Sequence, residues 1–279
     1  MKTTNYIKRM KPLLGTFVEV GILDSETKDI HQQNRYFEVA FKALQTIASQ
    51  MSFHHEDSAL SQLNKSPRRW VSLPKETLKV LALAKQLGEQ SAELFNCTVG
   101  GHLVQNQKLP DHFPHRFNLS GSSMDIEIKQ NQARLITPVL ITLDGIAKGY
   151  AIDFALEKLQ SLGVQSAWIN AGGDIKVIGE IKLPIHRRKV SQTNSLEPLT
   201  ELTNCALATS QISRDLSVTL PSQIVDTQGI EAQEGLISVA TSQAWLADGL
   251  TKVLALLPEN ERQQMAHQFS AEYFCSKAS

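Results

Sequence analysis

Apolar residues recur at two spacings along the chain. Between Arg35 and Met51, the residues Phe37, Phe41, Leu44, Ile47 and Met51 share one helical face, which predicts an amphipathic helix with a core-facing stripe. Thr16 to Val20 alternates polar and apolar, the pattern of a half-buried strand. The longest patterned stretch runs from Ile141 to Gly179. The apolar run Val139 to Leu143 predicts a strand that stops at Asp144-Gly145. A turn, Gly145-Ile146-Ala147-Lys148-Gly149, then feeds a helix with Ile152, Ala155, Leu156, Leu159 and Leu162 at helical spacing, and Gly163 is placed for a left-handed cap. Two more predicted strands, Val164 to Ile169 and Ile175 to Ile178, flank Ala171-Gly172-Gly173-Asp174.

Around this centre, Asp57 or Ser58 is suited to cap a short helix carrying Leu60 and Leu63. Pro74 opens a helix expected to run through Leu87 and stop at Gly88. Met124 to Lys129 and Ala133 to Thr137 predict a hairpin about Gln130-Asn131-Gln132. Short strands are expected at Cys205 to Ala208, Ser217 to Leu220 and Ile237 to Ala240, and a helix from Ser242 to Leu257 ends at Pro258. Gln105 to Phe117, Leu183 to Val190 (with His186, Arg187, Arg188 and Lys189) and Asn194 to Thr203 read as loops or linker. The sum is an α+β or mixed α/β layered fold, taken as a single domain over 1–279 or two closely joined lobes.

Composition narrows the function classes. Lys plus Arg equals Asp plus Glu at 28 each in 279 residues, so the global basic field of a dedicated nucleic-acid binder is absent. Cys97, Cys205 and Cys275 are far apart and odd in number, which argues against a disulfide framework or a thiolate metal site. Met1 to Pro12 leads into no apolar segment resembling a signal peptide, and no window has spanning length; the expectation is a cytoplasmic protein without membrane insertion.

Two places carry candidate chemistry. Glycines on either side of Lys148 at a helix start suit an anion such as a nucleotide diphosphate, because free N–H groups, the helix dipole and the ammonium all favour it. The spacing is neither the dinucleotide fingerprint nor a Walker A loop, and a plain strand-to-helix turn with a surface lysine is the competing reading. On the last predicted helix, Asp248 and Thr251 stand three apart on one face. A carboxylate beside a hydroxyl is hard oxygen chemistry suited to Mg²⁺; the competing reading is a surface acid paired with Lys252. His54, His55, His112 and His115 read as loop residues rather than metal ligands.

Taken together, these residues resemble the ApbE-type FAD:protein FMN transferases. The landmarks run in the family's order: Leu14-Gly15-Thr16-Phe17, Ser52 to Asn64, Thr98-Val99-Gly100, Leu143 to Asp153, Asn170 to Asp174, Ala208-Thr209-Ser210 and Ala247 to Thr251. The resemblance implies the family's T-fold-like architecture. It also implies a Mg²⁺-dependent reaction in which FAD is split at its pyrophosphate, FMN goes to a Ser or Thr hydroxyl of an acceptor flavoprotein, and AMP leaves. Carried over by position, the Gly145 backbone, Asp248 and Thr251 would hold Mg²⁺ with Ala147 close by. Lys148 would touch the nucleotide, and Leu14, His54 and Thr142 would contact flavin or adenosine.

The chain departs from the family pattern in four places. Thr142 stands where Asp is common, with Asp144 two residues on as its expected substitute; Leu14 replaces Met, and His54 replaces an aromatic residue. Gln223 stands where the family carries a His that is a candidate general base, and Gln accepts no proton at neutral pH. Asp226 is the residue expected to take that role. Two rival expectations therefore stay open: an accessory protein that binds FAD or FMN without catalysis, and a pyrophosphatase giving FMN and AMP.

Overall fold

The computed structural model describes residues 5–189, 192–213 and 223–277; the strand expected at Ser217 to Leu220 lies outside them. The described strands are β1 (Tyr6–Leu13), β2 (Thr16–Leu23), β3 (Val71–Ser72), β4 (Ile126–Lys129), β5 (Gln132–Leu135), β6 (Ala167–Ala171), β7 (Asp174–Ile178), β8 (Leu183–Lys189), β9 (Gln192–Leu202), β10 (Ala206–Ile212), β11 (Gly235–Thr241) and β12 (Glu272–Lys277). The helices are α1 (Ile30–Met51), α2 (Ala59–Asn64), α3 (Lys75–Gln90), α4 (Gly100–Gln105), α5 (Ala147–Ser161), α6 (Ala244–Leu256) and α7 (Glu259–Gln268). A seven-stranded sheet in the order β1-β2-β6-β7-β10-β11-β12 is antiparallel at every pairing. The α+β expectation is met.

Period-two alternation decides what each face of the sheet meets. Ala167, Ile169, Ala171, Ala206, Ala208, Ile237 and Val239 join the main core with α1, α5 and α6. The opposite residues, Trp168, Ile175, Val177 and Leu207, form a second core closed by Ile185 and Leu202. Those last two come from the antiparallel pair β8–β9, so the segments read as basic loop and linker form a β-ribbon. Their apolar residues are too sparse to look like strands, but enough face one way to cover the sheet. An ion pair between Arg187 and Glu197 joins the two strands.

Other boundaries also moved. The run Val139 to Leu143 is extended but belongs to no strand; only Leu140 makes an isolated bridge, to Val99. In place of a neighbouring strand it has Asn64, whose amide donates to the Ile141 carbonyl at 2.8 Å and accepts from the Ile141 N–H at 2.8 Å. Gly88 does not end α3, which continues to Gln90 with Gly88 buried against the Phe95 backbone. Met1 to Pro12 gave no strand pattern because β1 is an edge strand with exposed basic residues; Lys8 reaches across to Glu19 at 2.9 Å. The helix α7 and strand β12 beyond Pro258 were not anticipated. Ser58 caps α2 as expected, accepting from Ser61 N–H at 3.0 Å, and Gly163 takes φ +91° after α5.

Candidate active site

The first turn of α5, the start of β7 and the middle of α6 meet on the helix-covered side of the sheet. Close approach of α5 and α6 depends on Gly149, because a Cβ there would lie 2.2 Å from the Ala244 carbonyl oxygen. Asp153, one turn further along α5, holds the other helix end. Its carboxylate accepts from the backbone N–H of Ala244 at 3.1 Å and of Trp245 at 2.9 Å, capping α6 from outside its own sequence, and it pairs with Lys176 at 2.5 Å. The Gly-Tyr-Ala-Ile-Asp stretch is therefore the joint between two helices.

The glycines before Asp174 have a different task. Gly172 and Gly173 adopt φ +65° and +102°, making the tight β6–β7 turn, and Asn170 accepts the Gly173 N–H at 2.9 Å. A Cβ at Gly172 would lie 2.6 Å from the Thr16 hydroxyl, so the turn closes on the start of β2. Asp174 then points to the helix side, almost fully buried. It accepts from Thr209 N–H at 3.1 Å and pairs with Lys148 at 2.9 Å. Burial pushes the Asp174 carboxyl up and Lys148 pulls it back. Burial opposes charge on Lys148, but the Asp174 and Asp248 carboxylates prevail and its pKa is raised.

Asp248 has no exposed surface. One carboxylate oxygen accepts the Gly149 N–H at 3.1 Å, so a side chain from α6 satisfies an N–H in the first turn of α5. The other oxygen is paired with the Lys252 ammonium, one turn along α6. The pairing with Lys252 that competed with the metal reading is therefore present, though the acid is buried rather than on the surface. Thr251, also fully buried, donates to the Asp248 carbonyl at 2.7 Å and shares a 2.7 Å hydrogen bond with Ser210 on β10.

The residues expected to hold Mg²⁺ do gather here, but as arranged they do not fit it. Both Asp248 oxygens and the Thr251 hydroxyl already have partners, and Lys252 lies along the Gly145 turn: a Cβ on Gly145 would sit 3.6 Å from Lys252 Cε. Ala147 donates its N–H to the Leu143 carbonyl at 2.8 Å. Among the described residues no group of three or more His, Cys, Asp or Glu side chains is placed to hold a metal ion, His54, His55, His112 and His115 included.

Of the expected nucleotide contacts, Thr142 is buried, donating its N–H to the Cys97 carbonyl at 2.8 Å, and its hydroxyl accepts the Asp144 N–H at 3.4 Å. Asp144 is open to solvent; the surrounding protein raises its carboxyl and His54 draws it down, both effects screened by that exposure. Leu14 lies in the two-residue turn between β1 and β2 with φ +55°, a conformation a non-glycine residue rarely adopts.

Asp226, the residue expected to act as the base, also has a structural task. One carboxylate oxygen accepts the N–H groups of Gln228 and Ile230, both at 2.8 Å, and so builds its own turn. That turn is held by Ser120 and His102, which reach the Thr227 carbonyl at 2.7 and 3.2 Å. Val225 completes a small core with Phe53, Leu103 and Leu140. In the sequence Asn64 and Asp153 entered only as the ends of motifs and Lys252 only as the competing partner of Asp248, while His102 was not singled out. The Asp248–Lys252 pair was readable because the two stand four apart on one helix; the other contacts join residues far apart in the chain.

The ApbE family model matches residues 14–275. A curated relative from Haemophilus influenzae, named FAD:protein FMN transferase, is 23% identical over 295 aligned positions, covering 96% of this chain and 85% of the relative. A second, from Vibrio cholerae and bearing the same name, is 26% identical, covering 91% of this chain and 82% of its own length. Among solved structures, the flavin transferase ApbE from Vibrio cholerae superposes with a TM-score of 0.80 at 21% identity, covering 99% of this chain and 98% of that one. No helix among the described residues is long and apolar enough to cross a membrane.

Proposed function

The chain belongs to the ApbE family, and on that premise we propose that it moves the FMN half of FAD to a Ser or Thr hydroxyl of an acceptor flavoprotein, releasing AMP. One observation carries the reading. Two ammonium groups, Lys148 and Lys252, are each pinned by a buried carboxylate beside the first turn of α5. Fixed cations at a helix N-terminus suit a diphosphate whose charge grows at the leaving oxygen in the transition state.

In this reaction the acceptor oxygen forms a bond to the FMN phosphorus, the pyrophosphate P–O bond breaks, and AMP departs with the electron pair. Lys148 stands at the second position of α5, where its charge is held toward the nucleotide while Asp174 fixes its direction. Leu14, His54, Thr142 and Asp144 are the proposed neighbours of flavin and adenosine. The acceptor's proton must go to a base, and Gln223 cannot take it. Asp226 is the proposed alternative, through the carboxylate oxygen that does not build its turn. Asp248, with Thr251, Gly145 and Ala147, takes a divalent cation only where Lys252 leaves it.

The test is an FAD titration followed by flavin fluorescence, then product analysis in the presence of acceptor protein. Covalently flavinylated acceptor with AMP is the expected result. Free FMN with AMP would mean a pyrophosphatase, and bound but unchanged FAD an accessory flavin binder. Failure to bind FAD overturns the reading.

A further inference from the structure

We infer that Lys252 is a built-in cation that takes the place of a divalent metal at Asp248, so that nucleotide binding here needs no added metal. The inference rests on the preceding reading only for the identity of the nucleotide. A fully buried carboxylate requires a compensating charge and hydrogen bonds, and Asp248 has both within the chain. Lys252 supplies the charge from one turn along the same helix, and the Gly149 N–H supplies the second bond.

The space is taken as well as the charge. The Lys252 stem covers the Gly145 turn, with Cε and Cγ 3.6 and 3.7 Å from where a Gly145 Cβ would stand. A small divalent ion such as Mg²⁺ needs near-octahedral oxygens at about 2.1 Å. It cannot share the Asp248 oxygen with an ammonium that already occupies the approach. Thr251 does not supply the missing ligand, because its hydroxyl is committed to Ser210 and to the Asp248 carbonyl.

The remaining charges allow this substitution. The carboxylates of Asp144, Asp174 and Asp248 interact with both ammonium groups, Lys148 and Lys252. About a fifth of the Lys252 side chain stays exposed while its ammonium pairs with Asp248, so the residue is not sealed off from an incoming phosphate. An ammonium does this without the geometric demand of a metal ion.

Two probes test the inference, FAD and Mn²⁺, each on the full chain and on Lys252→Thr. FAD affinity of the unchanged protein should be the same in EDTA and in Mg²⁺. Lys252→Thr should lose about tenfold in EDTA and regain it with Mg²⁺. An unchanged protein that itself loses about tenfold in EDTA overturns the inference, whether or not the variant folds. If FAD binds under neither condition the flavin reading fails, and Mn²⁺ uptake, followed by electron paramagnetic resonance without nucleotide, decides alone. Uptake by Lys252→Thr and none by the unchanged chain supports the built-in cation. Equal uptake, or none by either, overturns it.

Discussion

The carboxylate of Asp153 accepts the backbone N–H of Trp245 at 2.9 Å, so α5 provides the cap that α6 lacks in its own sequence. This bond sets where α6 begins and hence where Asp248 and Lys252 stand. Asp153→Ala removes the cap and strands the Lys176 ammonium beside it. A loss of about 2–4 kcal/mol in urea unfolding is expected. A change within about 0.5 kcal/mol, the range of ordinary surface substitutions, would remove Asp153 from the scaffold.

Gly149→Ala tests the helix contact directly. The added methyl would stand 2.2 Å from the Ala244 carbonyl oxygen, a backbone atom with no side-chain freedom to move aside. Separation of α5 from α6 is the expected response, with a lowered melting temperature and weakened FAD binding together. Retention of both would show that the two helices tolerate a wider spacing.

Asn64→Ala leaves the Ile141 N–H and carbonyl without their side-chain partner in a buried setting. Two orphaned backbone groups should cost about 2–4 kcal/mol. Asn64→Asp keeps only the acceptor and places a carboxylate against the Ile141 carbonyl, so it should be no better than Ala. Rescue by Asp would contradict the paired geometry.

Alkaline pH should destabilise the fold. Burial pushes the Cys97 thiol up to about 12 from an ordinary 9.0. Burial and then the Glu76 hydrogen bond raise Tyr150, and Lys148 is raised because its carboxylate partners outweigh burial. A group with a higher pKa folded than unfolded stabilises fully below its unfolded value, and that stabilisation is lost as pH climbs through the folded value. Loss should therefore begin near 9 and, for Cys97, be complete near 12. The urea midpoint should fall across this window, and Cys97→Ala should make the fall shallower. A midpoint that stays level above 9 would count against these assignments.

Lys148→Met should weaken FAD binding by about tenfold while leaving a folded protein of lower stability, since Asp174 loses its counter-charge. Isothermal titration beside urea unfolding separates the two effects. Lowered stability with full FAD affinity would confine Lys148 to a structural role.

Local order was legible wherever a pattern lies within one segment. Helical spacing marked α1, α5 and α6, and alternation marked β2. The glycines at 163, 172 and 173 announced turns that require positive φ. The motif order from Leu14 to Thr251 pointed to the family that the comparison supports. The ribbon β8–β9 and the edge strand β1 escaped because apolar residues are too sparse in their sequences to show an alternation.

What the sequence by itself determined is the set of short-range choices: which segments coil, which extend, and where the chain must turn. Those depend on residues a few positions apart, whose sterics and apolar spacing act locally. Only the tertiary structure decided what the chemical residues do. Asp153 meets Trp245 across 92 positions, Gly149 meets Asp248 across 99, and Asn64 meets Ile141 across 77. A buried carboxylate takes whichever donor or cation packing brings to it, and that choice is made by desolvation in the assembled core rather than by any spacing along the chain.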